Sequence, residues 1–187
     1  MTWAGSQPMT ATDQKPEAAR SHAARLGELL NRAGVLLAYG GGLVVAGVGV
    51  MSAVSIIGRA ALRRPITGDF ELVEIGIAVA GALFLPYCQA TGGHIAVDFF
   101  TLRASERMRA RLDRFGALLM AAMFLIVAWR AGVGTLDLYR SGESSMLMRF
   151  PVWLGYALTI PGLVVAGLVA LAQGFGVKVA ERVEAER

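Results

Sequence analysis

Residues 71–98 read ELVEIGIAVAGALFLPYCQATGGHIAVD. The stretch is apolar enough to cross a bilayer, yet it carries Glu74 just inside its first end and stops at Gly-Gly-His-Ile-x-Val-Asp, residues 92–98. An acid in a lipid-spanning helix is expensive and demands a reason. Working outward, three more apolar blocks appear: 35–57, 115–129 continuing past Arg130 to 136, and 152–177. A bilayer core takes roughly 20 helical residues at about 1.5 Å each. The sequence therefore predicts an all-α membrane protein with four transmembrane helices, at 35–57, 70–91, 115–136 and 152–177, together a membrane domain over 34–177.

Composition supports that class. Of 187 residues, 55% are hydrophobic and 17% charged, against about 25% charged in soluble domains. The mean hydropathy is +0.54. The net charge of +4 sits at the ends of apolar runs, where topology and lipid phosphates account for it, so nucleic acid is not an expected partner and the lipid bilayer is. Cys88 is the one cysteine; it has no intrachain disulfide partner and belongs to no metal-type spacing.

Lys and Arg set the orientation. Twelve fall on one side: Lys15, Arg20, Arg25 and Arg32 in the N-terminal tail; Arg103, Arg107, Arg109, Arg111 and Arg114 in the middle loop; Lys178, Arg182 and Arg187 at the C-terminus. Five fall on the other: Arg59, Arg63, Arg64, Arg140 and Arg149. Both termini are expected in the cytoplasm, with the loops 58–69 and 137–151 outside. Residues 1–19 read as a disordered tail, 20–33 as a basic amphipathic juxtamembrane helix or a plain extension of the first membrane helix, and 178–187 as a cytoplasmic tail.

Small residues recur every fourth position in the first helix (Gly34, Ala38, Gly42, Ala46) and in the fourth (Gly162, Ala166, Ala170, Gly174). Such ridges let helices approach closely in lipid. Gly92-Gly93 suits a helix stop. Ser105 suits the N-cap of a third helix that protrudes beyond the membrane through Arg107, Arg109, Arg111 and Arg114. Pro161 is expected to kink the fourth helix.

Counting from the expected helix ends, Glu74 and Arg130 lie at similar shallow depth, and an unpaired charge there is costly. The expectation is a structural ion pair between them. Asp137 is the rival partner for Arg130, and outward snorkelling of each charge is the third option. His94 and Asp98, four apart, suit backbone or subunit contacts better than a metal, since His22 is the only other histidine. No cofactor, metal set or catalytic constellation is visible, and the chain does not read as an enzyme.

Together these features resemble the small permease subunit of TRAP (tripartite ATP-independent periplasmic) transporters. The resemblance rests on Arg59, Pro65 and Glu74; on Gly93, His94 and Asp98 within residues 92–98; on Ser144-Ser145; and on Pro151, Trp153 and Tyr156 followed by Ile160-Pro161-Gly162. Departures are Phe70 where an aromatic, often Trp, precedes the family glutamate, Pro86 where relatives carry a small residue, and a longer N-terminal tail. The resemblance implies a bacterial inner-membrane scaffold that pairs with a large TRAP permease subunit. It also implies a periplasmic solute-binding protein that delivers an organic anion, commonly a carboxylate, with sodium as the common driving ion. By the same analogy, Arg59, Arg63, Arg64, Arg140, Glu143 and Arg149 face the binding protein. The alternatives are an autonomous oligomeric exporter that exchanges protons at Glu74, and a membrane anchor for a redox or signalling complex, against whose redox form the missing haem ligands argue.

Overall fold

A computed structural model describes residues 17–62, 68–92, 106–177 and 179. They form four helices: α1 (Glu17–Leu62), α2 (Asp69–Thr91), α3 (Glu106–Ser141) and α4 (Val152–Gly174). All four are long and apolar enough to cross a membrane, and the chain is a multi-pass membrane protein. The 23 residues of α2 and of α4 span about 35 Å each, close to one bilayer core. At 46 and 36 residues, α1 and α3 overrun it.

Residues 17–33 continue into α1 without a break, so the chain takes the extension rather than a separate surface helix. Residues 1–16 of the expected tail, residues 63–67 with Arg63, Arg64 and Pro65, residues 93–105 with Gly93, His94, Asp98 and Ser105, and nearly all of 178–187 lie outside the described residues. α2 ends at Gly92, which takes a left-handed φ of 66° and donates its N–H to the Cys88 and Gln89 carbonyls. That is the helix stop expected of the Gly-Gly pair.

α4 is the hub. It packs against α1, α2 and α3, and α1 also packs on α2; among the described residues α3 touches neither α1 nor α2. Glycines set the spacing because close approach gives lipid-embedded helices their packing energy. The α1–α2 seam runs through Gly34, Gly41, Val48 and Ser55, seven residues apart. Gly34 lies on the Pro86–Tyr87 backbone, Gly41 on the Ala80 carbonyl, and Val48 fills the space above Gly76. Gly42, on the expected every-fourth ladder, has nothing beside it. A seven-residue repeat keeps one face on a neighbour that coils with it, which a straight four-residue ladder does not. In α4 the expected ladder does hold, with Gly162, Ala166, Ala170 and Gly174 all buried.

Pro86 gives α2 its character. The helix runs through it, and the missing N–H leaves the Ala82 carbonyl without its helical donor. Gly162 of α4 lies directly against that carbonyl, so close that a Cβ there would collide with it. One proline thus opens the backbone where the one residue without a side chain comes in.

Candidate functional site

Two clasps hold the end of the bundle where α1 and α3 finish and α2 and α4 begin. The first closes α1 on α2. Ser55, only 1% exposed, donates to Asp69 Oδ2 at 2.6 Å, and Arg59 Nη2 donates to the same oxygen at 3.2 Å. Asp69 Oδ1 accepts the Phe70 N–H at 2.9 Å, and the Arg59 guanidinium lies 5.9 Å from the Phe70 ring centroid. A carboxylate with three donors on its oxygens is well satisfied at a helix start.

The second clasp folds the α3–α4 loop over α2. The Glu71 carboxylate accepts the Ser145 hydroxyl, the Leu147 N–H at 3.1 Å and the Met148 N–H at 3.3 Å. The loop closes on itself through Ser145 N–H to Phe150 O at 2.8 Å and a bridge between Ser144 and Pro151. Its turn needs a left-handed Arg149, φ 52°, a conformation uncommon for a side-chain-bearing residue. Gly68, φ 81°, sits beneath Met148, where a Cβ would not fit. Tyr139 and Trp153 meet edge to face at 5.5 Å and join α3 to α4 beside the loop. The result is a fixed platform whose tip, Met146, is 97% exposed.

At the opposite end, buried Gln89 donates to Gln173 Oε1 at 2.8 Å, and Gln173 Nε2 donates back to the Gln89 carbonyl at 2.9 Å. Hydrogen bonds between transmembrane helices of this kind tie α2 to α4.

Of the residues expected to form sites, Arg59, Arg140, Glu143, Arg149, Pro151 and Trp153 all fall at the clasped end. Glu74 lies one turn deeper on α2. It lines a groove of about 790 Å³ between α2 and α3, floored by α4 at Gly155, Tyr156 and Thr159.

The expected Glu74–Arg130 pair does not form. The ion pairs among the described residues are Arg32–Glu28 and Arg59–Asp69. The register explains why. Gly167 faces Phe124 and Leu125, and Gly174 faces Leu118, so α3 runs antiparallel to α4, Leu163 in mid-α4 is level with Ala128 and Trp129, and Arg130 is level with Pro161 and Gly162. Gly155 faces Ile75 and Gly162 faces Ala82, which puts Glu74 eight residues, or about 12 Å, nearer the clasped end than Arg130. The sequence-based depth ended the third helix at 136, whereas α3 continues to Ser141. The extra turn and a half sets Arg130 apart from Glu74 and close to level with the middle of α4, whose 23 residues match one bilayer core. An arginine at the centre of a bilayer costs about 2.5–3.5 kcal/mol to insert.

A family model described as "Tripartite ATP-independent periplasmic transporters, DctQ component" matches residues 48–177. The chain belongs to this family. The match reaches from the last third of α1 through the end of α4, so it takes in both clasps, the groove and Arg130. No curated protein and no solved structure matches the chain. The TRAP small subunit is thus a four-helix membrane component of a transporter, in a family that is not one of enzymes. Its best-anchored acids are Asp69 and Glu71, which sequence reading passed over in favour of Glu74. The available signal was their place in the first turn of α2, where carboxylates suit the helix dipole and meet neighbouring loop donors.

Proposed function

We propose that this TRAP small subunit is the stationary scaffold of an ion-driven uptake system for an organic anion, with a carboxylate as the leading substrate class. A large permease subunit carries the transport path, and a periplasmic solute-binding protein delivers the substrate. The family match across residues 48–177 carries this reading. The hydrogen-bonded ties at both ends of the bundle support it, because a scaffold has to keep its shape while a neighbour moves. In this reading the termini are cytoplasmic in a bacterial inner membrane. The clasped end then faces the periplasm and offers Arg59, Arg140, Glu143 and Arg149, with Arg63 and Arg64, to the binding protein.

The test is reconstitution in liposomes. Uptake of an organic anion down a sodium gradient is expected only with both membrane subunits and the binding protein present. Transport by this chain alone, lost in Glu74→Gln, would replace the scaffold with the autonomous exporter.

A further inference from the structure

Resting on the scaffold reading above, we propose that the α3 face bearing Arg130 is the docking seam for a transmembrane helix of the large permease subunit, and that this helix presents a carboxylate to the Arg130 guanidinium near the bilayer midplane. Three observations carry it. The first is depth: Arg130 is level with the middle of α4, whose length matches one bilayer core. The second is direction. Ala121 and Ala128, 0% and 5% exposed, mark the side of α3 that α4 covers, and α4 is the one described helix that α3 touches. Arg130 follows Ala128 by two residues, about 200° around the helix, so it points away from the rest of the chain. It makes no hydrogen bond or ion pair among the described residues. The third is its setting. Leu119, Met123 and Ile126 precede it on the same face at spacings of four and three and are exposed, the pattern of a helix–helix seam with one cation in it.

Charge decides the occupant. Lipid tails offer the guanidinium nothing, and an arginine stem is far shorter than the roughly 15 Å from midplane to headgroups. A second copy of this chain, packed symmetrically through the same face, would set two arginines together at equal depth. Glu74 of another copy would sit at the wrong depth. A carboxylate on a foreign helix takes the guanidinium bidentately in a medium of low dielectric.

The experiment uses the full chain co-expressed with the large subunit and solubilised under mild conditions. Recovery of the wild-type pair establishes the scaffold reading on its own. Arg130→Leu is then expected to lower that recovery at least tenfold, while the same variant expressed alone inserts as well as wild type or better, since it loses a midplane charge. Arg130→Lys should retain part of the recovery. A benzophenone side chain at Met123 or Ile126 should crosslink to the large subunit, and one at Leu43 on α1 should not. If the wild-type pair is recovered and Arg130→Leu is recovered equally, or if Met123 and Ile126 crosslink only to lipid, the seam is elsewhere. If the wild-type pair is not recovered at all, the scaffold reading itself fails.

Discussion

Glu71 and Glu74 stand one turn apart on α2 with different surroundings. Glu71 gathers a hydroxyl and two backbone N–H groups from a loop more than seventy positions away, whereas Glu74 lines an open groove. Glu71→Ala removes the acceptor and strands the Leu147 and Met148 N–H groups. Amide hydrogen exchange across 145–150 is expected to rise by about tenfold or more, while Glu74→Ala leaves it unchanged. Equal exchange in both variants would mean that the loop holds its shape without Glu71. From sequence, Glu74 drew attention because it is the deeper acid. Depth alone does not reveal the donors that a distant loop brings to Glu71.

Elements of this fold meet where side chains are missing. A methyl at Gly162 would enter the Ala82 carbonyl, whereas Gly132 on α3 has open space around it. Gly162→Ala should therefore destabilise the chain by about 1–3 kcal/mol through forced separation of α2 and α4. Gly132→Ala should be neutral or stabilising by up to about 1 kcal/mol, because alanine loses less backbone freedom in a helix. Thermal unfolding in detergent reads both. On α1 the neighbours Gly41 and Gly42 divide in the same way: Gly41→Val presses on Ala80 and Leu83, and Gly42→Val enters free space. Only the first should lower the unfolding temperature. Four-residue spacing marked Gly42 and passed over Gly41, because a sequence ladder does not say which stripe a neighbouring helix will cover.

Across the whole molecule, both clasps, the exposed Met146 tip and the charges of Arg59, Arg140, Glu143 and Arg149 gather at one end. In the proposed topology that end faces outward, as the Lys and Arg asymmetry predicts. A cysteine at Met146, in a Cys88→Ala background, should react in intact cells with a maleimide that cannot cross the membrane. Labelling only after lysis would invert the topology. Charge reversal at Arg140 together with Arg149 should lower binding-protein-dependent uptake severalfold in the reconstituted system while leaving recovery of the two membrane subunits unchanged. Uptake equal to wild type would remove the docking role.

The sequence by itself determined that there are four membrane helices, roughly where they lie, and the family. Hydrophobic length is a property of contiguous residues, and so are the motifs at 92–98 and 151–162. Only the tertiary structure decided which charges meet. Side-chain partners depend on helix register and on where each helix ends, and an error of one turn and a half at the end of α3 was enough to misplace Arg130. The same holds for Pro86: its missing N–H is written in the chain, but the glycine that exploits the freed Ala82 carbonyl lies on another helix, at a distance that packing alone sets.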